Sequence, residues 1–137
     1  MNDENKKPEI TEEGGVEIKQ PEIVISLESK TITIDDLKKV EIRVGQIKSA
    51  IPVEGSEKLL ILKVDFGNEE RQIVSGIAKY YSPDNLIGKK VPFVTNLEPR
   101  KLMGHESNGM IFAAKDSADH FSLLDVAPEI ENGTHIS

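Results

Sequence analysis

The residues able to support a reaction are few and poorly arranged. Ser75 and Ser107 carry hydroxyl nucleophiles, and His105, His120 and His135 carry imidazoles that would activate them. Covalent catalysis needs the base within hydrogen-bond reach of the nucleophile and a third group to orient it. Neither serine sits in a G-x-S-x-G elbow, and His105 lies near Ser107 in sequence alone. The paired carboxylates Asp35–Asp36 and Glu69–Glu70 fall at a helix start and in a turn, where helix-dipole and turn roles account for them. No glycine loop of the phosphate-cradling type occurs. The chain has no cysteine, which excludes disulfides and thiolate zinc sites, and the three histidines lack a ligand partner at metal-binding spacing. The expectation is a non-catalytic protein without metal or cofactor.

A second chemistry needs no reaction. Lys58, Arg71, Lys79, Arg100 and Lys101 are cations suited to phosphate oxygens. Asn96, Ser107 and Asn108 offer neutral donors and acceptors for sugar hydroxyls or base edges. Met110 offers a soft apolar surface, or equally a core position. A solvated surface charge is the alternative for each lysine. Four Phe, two Tyr and no Trp leave little for an extended base-stacking platform, which favours recognition of shape and backbone. The net charge of −7 over 137 residues argues at first against a polyanionic partner. The charge is uneven, however. Through residue 33 there are eight acids against four bases, whereas residues 58–101 carry eight bases against five acids, a net of +3. Screening limits the reach of distant charge to about 8 Å at physiological salt, so a local cationic face on an acidic protein is allowed.

These residues need elements to position them. Residues 1–32 are rich in Glu and Lys and read as an acidic, disordered leader or linker, with Ile23-Val24-Ile25 as one short strand if an edge accepts it. Thr33 and Asp36 form a capping box for a short helix from Ile34 to about Lys39. In VEIRVGQI, apolar Val40, Ile42 and Val44 alternate with Glu41 and Arg43, a half-buried strand in which Gly45 suggests a bulge or bend. Residues 52–57 are a loop. Residues 59–66 are a second strand with Leu60, Leu62, Val64 and Phe66 on one face. GNEE at 67–70 is a hairpin turn and residues 71–75 a third strand. A short helical or irregular piece spans 76–86, ending near Pro83. Residues 89–95 and 109–114 are the fourth and fifth strands, with a further strand over 121–126 and a turn at Asn132-Gly133. No apolar run is long enough to cross a bilayer, and the polar start MNDENKKPEI is no secretory signal, so a cytoplasmic location without membrane contact is expected.

Five short strands with a helical insert between the third and fourth predict an all-β domain with short helices, an OB-fold. That fold is a five-stranded Greek-key β-barrel that binds oligonucleotides on its strand 2–3 face and through its 1–2 and 4–5 loops. The stretch RKLMGHESNGMIFAAK would be the 4–5 loop and the strand after it.

The stretches KVEIRVGQI, EGSEKLLILKVDFG, RQIVSGIAKYY, LIGKKV, NLEPRKLMGHESNGMIFAA and NGTHIS, in this order and spacing, resemble the tRNA-binding domain at the C-terminus of methionyl-tRNA synthetases. The same module occurs as a free-standing structure-specific tRNA-binding protein. The resemblance covers residues 33–137 and implies an OB-fold with a C-terminal dimerisation extension. It implies a homodimer that binds the outer corner of the tRNA L shape and delivers or retains tRNA for a methionyl-tRNA synthetase catalytic subunit. The family pattern places tRNA contacts at Lys58, Arg71, Ser75, Asn96, Lys101, Ser107 and Met110; Lys79 and Arg100 are added on charge. The chain departs from the family in two ways. The synthetase's catalytic body is absent, and PVEGSEKL lacks the His-Pro of many relatives before Lys58. Two alternatives share the barrel: a peptide-binding secretion chaperone, which typically lacks SGIA and KLMG…SxGM, and a dimerisation module with incidental RNA affinity.

Overall fold

A computed structural model describes residues 30–137. The short strand anticipated at Ile23-Val24-Ile25 lies outside the described residues. The chain divides into two units, Met1–Leu37 and Lys38–Ser137. In the first, the capping box forms as expected. Thr33 N–H donates to Asp36 Oδ2 at 3.2 Å and Asp36 N–H to Thr33 Oγ1 at 3.1 Å, opening helix α1 (Ile34–Lys38).

The second unit is built on β1 (Ile42–Pro52), β2 (Leu60–Asp65), β3 (Glu70–Ser75), β4 (Lys90–Val94) and a short strand β7 (Met110–Ile111). They form one antiparallel sheet in the order β3-β2-β1-β4-β7. Three consecutive strands with the fourth returning beside the first is the Greek-key arrangement. β1 serves two partners, pairing with β4 through Ile42–Gln46 and with β2 through Gln46–Pro52. The register shift between Ile47 and Ser49 leaves Lys48 as an extra residue, and such a bulge bends a strand.

The bulge is therefore not at Gly45. Gly45 is there because the core has no room for a side chain. A Cβ on it would lie 2.5 Å from Val64 Cγ1, 2.7 Å from Phe66 Cε1 and 2.9 Å from Phe93 Cδ1. Leu60, Leu62, Val64 and Phe66 all point inward, as alternation predicts, and join Ile47, Ile73, Leu86, Val91, Phe93 and Ile111 in one core. Phe66 and Phe93 meet edge to face, with centroids 5.5 Å apart.

Three expectations change. Helix α2 (Pro83–Leu86) begins at Pro83 rather than ending near it, since proline is preorganised for the first helical turn. The fifth strand is interrupted at Phe112, dividing into β7 and β8 (Ala113–Lys115), and β8 pairs with β9 (Phe121–Leu123). The expected closed five-stranded barrel is a curled half-barrel: β3 and β7 do not ladder together. β7 is only two residues long. The segment before it leaves the sheet as a two-stranded hairpin, β5 (Arg100–Leu102) and β6 (His105–Ser107), so no continuous ladder crosses the gap.

The C-terminal extension packs on the N-terminal half of β1, where β2 no longer pairs. Gly133 N–H donates to Val44 O at 2.7 Å, Val44 N–H to Thr134 O at 2.9 Å and Ile136 N–H to Ile42 O at 2.9 Å. Lys90 Nζ holds the carbonyls of Pro128 and Ile130. Among the described residues no helix is long and apolar enough to cross a membrane.

Overpacking a well-filled core costs about 1–3 kcal/mol. Gly45→Ala is expected to lower stability by about that amount in urea unfolding. Gly88→Ala is the contrasting case, because no atom lies within 4 Å of its Cβ position and only its backbone angle (φ 92°) is strained. If Gly45→Ala unfolds at the wild-type midpoint, steric exclusion is not the reason for this glycine.

Candidate nucleic-acid interface

The β5–β6 hairpin is the centre of the candidate site. Its two-residue turn is Met103-Gly104, both at positive φ (50° and 84°), the backbone of a type I′ hairpin turn. Methionine is an uncommon residue in the left-handed region, so the turn is strained at Met103. The tip reaches the β1–β2 loop, where Met103 Cε lies 3.6 Å from the Cβ position of Gly55. The 1–2 and 4–5 loops, through which OB-folds bind oligonucleotides, therefore meet.

The half-barrel is closed by side chains where the ladder is missing. Ser107 is 3% exposed; its Oγ accepts Val74 N–H at 2.9 Å and donates to Gly109 O at 3.1 Å. Asn108 N–H donates to Gln72 O at 2.9 Å, and Gln72 Nε2 donates to Glu106 O at 2.9 Å. Arg71 donates from one terminal nitrogen to Thr95 O at 2.6 Å and Asn108 O at 3.2 Å, and from Nε to Glu69 Oε1 at 3.1 Å. Gly109 permits the close approach here: a Cβ on it would lie 2.9 Å from Val94 O.

Behind Arg71 lies a residue that sequence alternation placed on the wrong side. Arg43 is 7% exposed. Its guanidinium donates to Glu69 Oε2 at 2.6 Å and to Thr95 Oγ1 at 3.2 Å, and lies over the Phe66 ring at 5.0 Å. Thr95 Oγ1 in turn donates to Glu41 Oε1 at 2.6 Å. Hydrogen bonds from Arg43 and Arg71 hold the Glu69 carboxyl below its ordinary value of 4.5. The Thr95 hydroxyl does the same for Glu41, helped by Arg43, His135 and Arg71. Arg43, Thr95, Glu69 and Gln72 were missed, and only the run of charge at 69–71 hinted at them.

The structure brings Arg71, Asn96, Arg100, Lys101, Ser107 and Met110 around one seam. Arg100 pairs with Ser107 and Lys101 with Glu106 across the hairpin, and Met110 pairs with Val94. Met110 lies at the rim, 45% exposed, beside Leu97, Pro99 and Arg100 in an open groove. Asn96 is committed elsewhere: its Oδ1 accepts Glu41 N–H at 2.9 Å and its Nδ2 donates to Lys39 O at 2.7 Å. Lys58, Ser75 and Lys79 form a second group. Lys58 O accepts Ala78 N–H at 3.0 Å, and Ser75 pairs with Leu60 at the end of the β2–β3 ladder. Among the described residues Lys58, Lys79, Arg100 and Lys101 enter no ion pair.

A sequence profile described as "Putative tRNA binding domain" matches residues 42–135, which include the hairpin and all four of these cations. The chain belongs to this tRNA-binding domain family. It is 55% identical over 106 residues to a methionine–tRNA ligase of Caldanaerobacter subterraneus, covering 77% of this chain and 16% of that protein. It is 44% identical over 133 residues to that of Methanocaldococcus jannaschii, covering 97% of this chain and 20% of that protein. The chain thus spans about a sixth to a fifth of the length of these relatives. Among solved structures it is similar to a MetRS-related protein from Pyrococcus horikoshii, with TM-score 0.76 and 40% identity, over 79% of this chain and 99% of that one. It is also similar to the chaperone CsaA from Bacillus anthracis, with TM-score 0.70 and 28% identity, over 78% and 99% respectively.

Because the folded-state values of Glu69 and Glu41 are depressed, the stability they contribute is present above pH 4.5 and is lost as pH falls through the lowered values. Glu69→Gln is expected to be less stable than wild type at pH 7 and to lose less on acidification below pH 4.5. Thermal midpoints between pH 7 and pH 3 check this; parallel curves for the two proteins would remove Glu69 from the network.

Proposed function

We propose that this domain is a non-catalytic module that binds folded tRNA at the outer corner of its L shape and retains it for a methionine–tRNA ligase. The observation that carries this reading is the family match over residues 42–135, which contains every unpaired cation assigned to the site. The geometry supports it: the 1–2 and 4–5 loops meet, and Arg100 and Lys101 stand on an ordered hairpin beside an open groove. Lys58, Lys79, Arg100 and Lys101 would supply the phosphate contacts, with Ser75 beside the first pair and Met110 at the rim. A ridged, backbone-directed surface without a stacking platform suits shape more than sequence.

We further propose that residues 33–137 act as one functional domain, with residues 1–32 as its linker in the cytoplasm. On the same reading the C-terminal extension pairs two copies. Leu124, Ile130 and Ile136 are exposed apolar residues on that extension (45%, 37% and 37%), as a two-fold contact would use.

The expected result is salt-sensitive binding that favours tRNA over unstructured RNA of equal length, read by fluorescence anisotropy. Lys101→Ala and Arg100→Ala should each weaken binding and reduce the slope of log affinity against log salt by about 1. Equal affinity for the two RNAs would sink the reading. Suppression of protein aggregation without tRNA preference would favour the chaperone alternative.

A further inference from the structure

We infer that Arg71 is a positioning residue rather than a phosphate contact, fastening both stems of the excursion that carries Arg100 and Lys101. This rests on the tRNA-binding reading above.

The excursion runs from residue 96 to residue 107, and Thr95 and Asn108 are the residues on either side of it. One terminal nitrogen of Arg71 donates to the carbonyls of both, at 2.6 and 3.2 Å. A guanidinium has five N–H donors; three are committed here, two to the stems and one to Glu69. Its charge is already met by a carboxylate, and Glu69 is itself fixed by buried Arg43. An arriving phosphate would find only the two remaining N–H donors and a charge already shared with Glu69. Arg100 and Lys101, with no ion pair, need displace nothing.

Two other residues fasten the same stems. Asn96 ties the first to the backbone of Lys39 and Glu41 through both ends of its amide. Ser107 ties the second to Val74 and Gly109. All three act on backbone groups: Arg71 and Ser107 bridge the gap between β3 and β7 where the ladder is absent, and Asn96 ties the other stem to the chain before β1. A hairpin held in this way meets RNA with its ordering entropy already lost, which favours affinity without adding a contact.

Charge and geometry separate in Arg71→Lys. Lysine keeps the positive charge but lacks the planar fork needed to span two carbonyls and a carboxylate. The experiment compares wild type, Arg71→Lys and Arg71→Ala by tRNA titration at several salt concentrations, and by amide hydrogen exchange without RNA. Both variants are expected to lose about tenfold to a hundredfold in affinity, on the scale of one charge-assisted hydrogen bond. Both should also exchange faster at Asn108 and through residues 100–107. If Arg71→Lys binds like wild type while Arg71→Ala loses about one unit of salt slope, Arg71 is a direct contact and the inference falls. Faster exchange with unchanged affinity overturns it as well. Should Arg71→Lys not fold, Asn96→Ala at an exposed position is the second variant for the fastening of the stems, with the same readouts; faster exchange with unchanged affinity would again overturn the inference. A wild-type protein without preference for tRNA would instead overturn the underlying function.

Discussion

A guanidinium removed from water has to be met by protein groups, and in this domain the positions of those groups determine much else. The Arg43 side chain is only 8% exposed. Desolvating such an ion costs several kcal/mol, and stripping one partner from a buried pair typically costs about 3–5 kcal/mol. Its partners come from different places: Glu69 in the β2–β3 turn, Thr95 at the end of β4, and the ring of Phe66 after β2. Satisfying one side chain therefore fixes that turn against the end of β4. The second oxygen of Glu69 then orients Arg71, and Arg71 holds the stems of the hairpin. A packed apolar cluster is often as stable as such a network. Its return here is geometric, because it relates elements that no ladder joins.

The parts of the fold written in local pattern were readable. Alternation placed Leu60, Leu62, Val64 and Phe66 in the core, and Thr33 with Asp36 marked the start of α1. The same alternation sent Arg43 outward. It failed because Arg43 lies on the core face of β1 with Gly45, two residues on, its guanidinium over the Phe66 ring that also crowds Gly45, while Val44 on the opposite face is buried as well. Gly45 was read as a bend, yet its reason lies in Val64, Phe66 and Phe93, far away in sequence. In sequence the β5–β6 hairpin reads only as the 4–5 loop. Its strands are three residues each, too short for periodicity, and its turn is Met-Gly rather than the usual Asn-Gly. Within the candidate site the cations were legible as cations. Which of them were already neutralised was not: Arg71 and Arg100 look alike until Glu69 is placed.

Fold alone leaves the function open. The chain is similar both to a MetRS-related protein and to a chaperone, at TM-scores of 0.76 and 0.70. Function then rests on the side chains grafted onto the frame. Here the charge count matters more than the net charge of −7. Arg43 and Arg71 are balanced by Glu41 and Glu69, so this cluster adds structure but no net attraction for a polyanion. On the tRNA-binding reading, the attraction would fall to Lys58, Lys79, Arg100 and Lys101.

Four such cations limit what a single copy can achieve. The salt slope of nucleic-acid binding is roughly 0.9 per phosphate neutralised on a duplex, so a small contact number means modest, salt-sensitive affinity. Modest affinity is a handicap for a free protein and an advantage for an attached one. Linked to a catalytic body, or doubled in a symmetric pair, the domain turns a second encounter into an intramolecular one, and avidity rises without new contacts. A strong site would hold the product as firmly as the substrate. On the tRNA-binding reading, the sparing use of free charge and the heavy investment in holding the hairpin rigid serve one end: a contact surface that engages quickly, discriminates by shape and lets go.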